Sequence, residues 1–187
     1  MLASRRFLAL LNVALMISWI TMAIVVFERL PASIPMHFGP SGAADSFAER
    51  SSSTWFALPA IGVSTTLLLL GLASLARRRP ALYNVPSKDL LLSLPPAQQR
   101  PLFERISMLL TLLSTSILLL FMAIHYDTWR VSTGTQQGLS AVSWAAMALC
   151  LGGSLVAMPI WLVRFQRSVR DAAAASAGTL GASRRSS

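Results

Sequence analysis

The chain contains two histidines, His37 and His125, in 187 residues. Imidazole is the side chain best suited to proton transfer and metal ligation near neutral pH, so the groups around these two decide what chemistry is within reach. His37 sits in LPASIPMHFGPSGAADSFAER, residues 30–50, with Asp45 and Glu49 after it and Glu28 just before the segment; His125 is followed by Asp127. Two imidazoles and a carboxylate, His37, His125 and Asp45, can hold zinc or another divalent cation and leave one position for water. Asp45 can instead orient His37 as a general base. A third reading keeps the pair structural: Pro31, Pro35 and Pro40 stiffen the segment, Gly39 and Gly42 permit turns, and His37 and Asp45 brace the return of the chain. Neither a tight ligand spacing nor a nucleophile motif singles out the first two readings, so no catalytic residue and no obligatory cofactor is assigned.

The elements that must position these residues are oil-like. Hydrophobic residues make up 54% of the chain and charged residues 12%, against about a quarter charged in a soluble domain. Four apolar runs stand out, at about 7–27, 55–76, 106–124 and 139–163, each long enough for the roughly 20 residues of helix that cross a hydrocarbon core. The first follows Arg5 and Arg6 as a signal peptide would, but it exceeds an h-region of about 7–15 residues and Glu28-Arg29-Leu30-Pro31 offers no small-residue cleavage site, so it reads as a retained helix. The expected fold is an all-α integral membrane protein: a four-transmembrane-helix bundle over 1–170, an outer loop at 28–54, a cytoplasmic loop at 77–105 and a disordered tail at 171–187 rich in Ala, Ser and Gly.

Basic residues set the orientation. Arg5, Arg6, Arg77, Arg78, Arg79, Lys88, Arg100, Arg105, Arg164, Arg167, Arg170, Arg184 and Arg185 fall on one side, and only Arg29, Arg50 and Arg130 on the other. The positive-inside rule then makes both termini and the middle loop cytoplasmic, and places His37, Asp45 and His125 outside. The net charge of +9 reflects insertion and an anionic inner leaflet, which excludes nucleic acid as the expected partner. Trp55, Tyr126, Trp129 and Trp144 gather at the outer interface, Trp161 and Phe165 at the inner one; Trp19, deeper in the first helix, needs a packing explanation.

Inside the spans the residues point to bundle packing. Ser107, Thr111 and Thr115 recur every fourth residue with Ser114 beside them, which stacks hydroxyls on one helix face. Asn12, Ser64, Thr65 and Thr66, together with the small pairs Ala148/Gly152 and Gly153/Ala157, are further interhelical candidates. No charged residue lies inside a span, which argues against an ion-coupled transporter. Cys150, alone in mid-helix, reads as an inert thiol. Pro59 falls early in its helix and Pro159 late, where it can kink the inner end. In the middle loop, Ser87 can cap a short helix ended by Pro95, laying Leu90, Leu91, Leu92 and Leu94 along the membrane surface.

One combination of residues carries a resemblance. Ile34, Pro35, His37, Phe38, Gly42 and Asp45, then Arg50 where lysine is usual, then Tyr83, Asn84 and Pro86 after the second helix, resemble an uncharacterised bacterial membrane domain that also occurs in immunity proteins against the sporulation-delaying-protein toxin. The resemblance covers about residues 7–100; Gly39 stands where that pattern commonly has asparagine. It implies a multi-pass protein of the bacterial cytoplasmic (inner) membrane whose motif residues bind a ligand or shape the outer loop, and it names no reaction. Three function classes follow: a sensor or immunity-type protein with an extracytoplasmic loop and a membrane or envelope partner, a small accessory subunit of a larger membrane complex, and a metal-dependent envelope enzyme.

Overall fold

A computed structural model describes residues 2–185. Helix α1 (Leu2–Phe27) leads into a hairpin of strands β1 (Ser33–Phe38) and β2 (Ala44–Glu49), followed by α2 (Ser52–Arg78), a 3₁₀ turn (Pro80–Leu82), α3 (Lys88–Ser93) and α4 (Pro96–Ser132). A last continuous rod comprises α5 (Ala141–Met147), a π-helical segment (Ala148–Gly152) and α6 (Gly153–Arg185). Among the described residues, four helices are long and apolar enough to cross a membrane, and consecutive ones run in opposite directions, leaving a hairpin end and an α3 end.

The molecule departs from an all-α bundle at the hairpin. β1 and β2 pair antiparallel, Ser33 with Glu49 through Phe38 with Ala44, with irregular register on both sides of His37. Pro35 is tolerated because a two-stranded ribbon is all edge. Gly42, at φ +81°, makes the turn, a left-handed conformation that favours glycine.

Helices α1, α2 and α4 form the packed bundle. The hydroxyl face of α4 is buried as its spacing predicts: Ser107, Thr111, Ser114 and Thr115 are all buried. Asn12 of α1 meets it, donating to Thr115 Oγ1 at 2.8 Å and accepting from Ser114 Oγ at 3.3 Å. From the α2 cluster only Thr66 is buried; it donates back to the Gly62 carbonyl at 2.8 Å, while Ser64 is exposed.

Two expectations at the α3 end are corrected. α3 forms, but Leu91 and Leu94 do not lie on a membrane surface. They are buried in a protein core with Leu102, Phe103 and Ile106 of α4 and Phe165 and Val169 of α6, because the six-residue helix is tucked between the two long ones. Ser87 precedes α3 in a left-handed conformation and makes no side-chain cap. The same core draws α4 back to Pro96, ten residues before the apolar run begins, with proline in the first turn where its missing N–H costs nothing. α6 is helical over Asp171 to Arg185, the stretch where composition predicts a disordered tail; at its start Ala172 and Ala173 pack on the core, and Ser176 donates to Gln98 Oε1 at 2.8 Å. Ser186 and Ser187, the end of that predicted tail, lie outside the described residues.

Candidate functional site

The hairpin end is assembled by three locks. Arg50, at the end of β2, turns its guanidinium onto the C-terminus of α1 and donates to the carbonyls of Leu30 at 2.7 Å, Glu28 at 3.3 Å and Phe27 at 3.4 Å. Carbonyls at a helix C-terminus lack the full partners of its interior, though that of Phe27 also accepts from Leu30 N–H at 3.2 Å, and a cation there also suits the helix dipole. Ser51 then starts α2 with a capping box closed by Thr54, and Trp55 donates its indole N–H to the Ala23 carbonyl of α1 at 2.8 Å. Arg50 of the motif is therefore a strut.

The second lock ties the hairpin turn to the α4–α5 connection. Leu139 N–H donates to the Gly42 carbonyl at 2.8 Å, and Ala43 bridges to Gly138. A methyl group on Gly138 would collide with the Gly42 carbonyl, and one on Gly42 would meet the Trp144 indole. Gly42 is thus fixed twice, by its dihedral and by the ring against it.

Asp127 is the third lock, and sequence reasoning missed it. It is fully buried and accepts from Ser143 Oγ at 2.6 Å, Ser140 N–H at 2.7 Å, Ser140 Oγ at 2.9 Å and Gln136 Nε2 at 3.1 Å. One carboxyl group so organises the connection and the start of α5. The signal was present: Ser140-x-x-Ser143 ahead of an apolar run has the spacing of a helix start, and such a start lacks an acceptor for its serines unless an acid lies near.

His37 and Asp45 pair across the hairpin, Nδ1 to Oδ1 at 2.6 Å, with side chains 67% and 50% exposed. Asp45 also lies over Gly39, whose missing side chain leaves room for the carboxyl group. Met36 and Phe47 are exposed on the same hairpin. The unit of His37 with Asp45 expected from the sequence is brought together.

His125 is not brought to them as a ligand. It is buried within the bundle at 2% exposure, its Nδ1 accepts from Trp19 Nε1 at 2.9 Å, and the Trp55 ring lies 4.0 Å from its own. Trp19, the interfacial outlier, is placed by this bond and by Gly62, which has no side chain to oppose the indole. Indole N–H can only donate, so Nδ1 is the acceptor and the proton of the neutral ring is on Nε2. An Nε2 that carries a proton offers no lone pair to a cation. No cluster of three or more His, Cys, Asp or Glu suited to a metal ion forms among the described residues, so the triad His37, His125 and Asp45 is not assembled.

Tyr83, Asn84 and Pro86 lie at the opposite end of α2, a helix of 27 residues and so about 40 Å long. Tyr83 donates its hydroxyl to the Leu72 carbonyl, and burial raises its pKa above the usual tyrosine value; Asn84 is exposed. The two halves of the motif do not form one site.

The fold and this end define a class: a multi-pass integral membrane protein whose helices carry a braced β-hairpin cap. Residues 13–63, from within α1 through the hairpin and into α2, match a family described as a domain of unknown function, DUF1648. No curated protein and no solved structure matches the chain.

Proposed function

We propose that this chain is a sensor or immunity-type protein of the bacterial cytoplasmic membrane. The hairpin cap faces outward to meet a peptide, toxin or envelope component, and the basic α3 end reports inside. One observation carries the reading. The hairpin is pinned by Arg50, Gly42 and Leu139 and yet presents the His37–Asp45 pair, Met36 and Phe47 to solvent. A hairpin that served only to connect two helices would not need apolar side chains facing water, whereas exposed apolar groups on a rigid frame suit recognition. The resemblance of the cap to the immunity-protein domain, and the bias of arginines toward the α3 end, point the same way.

A second reading, an accessory subunit, is favoured by a different surface. The α5–α6 rod is 6% buried over its most apolar stretch, and Gly152 and Gly153 have nothing within 4 Å where a side chain would be. Photo-crosslinking residues placed at Phe47 and at Leu155, in native membranes, separate the two. A defined adduct from Phe47 that is lost on His37→Ala supports the sensor; adducts from Leu155 alone support the subunit. Orientation is tested by cysteines at Ser41 and Ser93 in a Cys150→Ser background. An impermeant maleimide added to intact cells should label Ser41→Cys and spare Ser93→Cys, and the reverse pattern overturns the outward cap.

A further inference from the structure

At the α3 end a pocket of about 520 Å³ opens between the last turn of α2 and the first turns of α4. Arg77, Arg78, Arg100 and Glu104 supply its charge, and Phe103 adds apolar surface. Arg5 of α1 is also close enough to act on Arg77. Three arginines against one glutamate leave the lining with an excess of two positive charges. Little within the protein neutralises them. Arg100 meets Glu104 only at 3.8 Å, with its own side chain 78% exposed, and among the described residues Arg77 and Arg78 make no hydrogen bond or ion pair. Arg105, by contrast, is spent on Ser168 Oγ at 2.7 Å. Insertion topology asks that basic residues stay on one side of the membrane; it does not ask them to share a pocket, where like charges disfavour one another. The helix dipole accounts for Arg77 and Arg78, in the last turn of α2, but it opposes Arg100 in the second turn of α4. An anion in the pocket relieves both costs.

We infer that this pocket binds the phosphodiester headgroup of an anionic membrane lipid. Guanidinium groups match phosphate oxygens two at a time, so three of them around one opening suit that anion. Depth selects a lipid over a soluble phosphate. Arg77 and Arg78 are the last residues of an apolar span, 52–78, which puts the pocket at the level of the headgroups and lets an acyl chain follow the span away from it. Charge selects the lipid class: a zwitterionic headgroup brings a cation of its own to a lining that already has too many, whereas an anionic one does not. This inference goes beyond the sensor and subunit readings, since it requires only that the α3 end lie at a membrane surface, on either side.

Native mass spectrometry tests it on the purified full chain, released from micelles that hold equal amounts of dioleoyl phosphatidylglycerol and dioleoyl phosphatidylcholine. The parent should retain phosphatidylglycerol in preference. Arg77→Gln and Arg100→Gln should each lower that retention roughly 5-fold, the effect expected of one basic residue at an anionic surface. Arg167→Gln, on α6 at the same end but outside the pocket, should leave it unchanged. Glu104→Gln removes the opposing carboxylate and should raise it. Thermal midpoints of all four variants separate lost binding from lost fold. Inorganic phosphate, substituted for chloride at matched ionic strength, should not displace the lipid. Equal losses in the three arginine variants would reduce the site to diffuse surface charge and overturn the inference. Equal retention of the two lipids, a fall in Glu104→Gln, or displacement by phosphate would overturn it as well. None of these results alters the crosslinking at Phe47, so the readings fail separately.

Discussion

Helix α4 and the α5–α6 rod look alike as membrane segments. Each offers 37 residues, Pro96–Ser132 and Ala141–Ala177, of nearly the same mean hydropathy, yet the most apolar stretch of α4 is 39% buried and that of the rod 6%. Hydropathy reports that a segment can leave water; it says nothing about what the segment will touch afterwards, because lipid is as apolar as leucine. What differs is the polar content of one face. α4 buries Ser107, Thr111, Ser114, Thr115, His125 and Asp127 and is met by Asn12 and Trp19. The rod buries Ser143 and Cys150 over its first half, and it turns Leu149, Leu151, Leu155 and Val156 outward. Within the monomer, specific contact goes to the helix whose polar groups need partners.

The comparison can be broken most severely at Asp127. Asp127→Ala leaves Ser140 N–H, two hydroxyls and an amide without their acceptor, and should lower stability by about 2–4 kcal/mol, read as a fall in the thermal midpoint of purified protein; Asp127→Asn should fall between. Next comes Asn12→Ala, which removes the Asn12 bonds to Thr115 and Ser114 of α4 but leaves the Trp19–His125 link and the Thr115 bond to the Thr111 carbonyl. We expect a loss of about 1–2 kcal/mol, in keeping with interhelical hydrogen bonds in membranes. The exposed pair matters less: His37→Ala and Asp45→Ala should each cost under about 1 kcal/mol, and the double variant should cost no more than the larger single loss, because the two side chains serve one interaction. Smallest of all, Leu151→Ala and Gly152→Ala on the rod should leave the monomer within about 0.5 kcal/mol of the parent. A large loss in native membranes but not in detergent would sharpen the contrast by showing that the rod is packed against a partner.

Much of this contrast was legible in the sequence. The four spans, the hydroxyl face of α4 and the partnership of Asn12 follow from spacing and residue type, and the pairing of His37 with Asp45 was expected from their spacing together with the family resemblance at both positions. The hairpin was not read as strands because Pro35 and paired glycines resemble a loop, and only the main-chain pairing reveals otherwise. His125 was placed in an outer loop because the apolar run stops at Ile124, whereas α4 continues to Ser132 and keeps the ring inside with Trp19. Leu91 was assigned to lipid by its amphipathic neighbourhood, which cannot distinguish a membrane surface from a protein core. Asp127 was counted as a loop acid because acceptors for a distant helix start are fixed by tertiary structure.

Several partners of the α1–hairpin segment are remote along the chain. Asn12 bonds to Thr115 and Trp19 to His125, more than a hundred positions away, and the Gly42 carbonyl waits for Leu139. The stretch matched at 13–63 is synthesised early and completed late: while a ribosome is still threading α2 into the bilayer, the hairpin has no turn to dock on, Trp19 has no acceptor, and the segment must remain provisional until α4 and its exit connection emerge. Contacts of such long sequence separation slow the search for the native arrangement. A chain halted after α2 would therefore carry every matched residue and hold none of these closures.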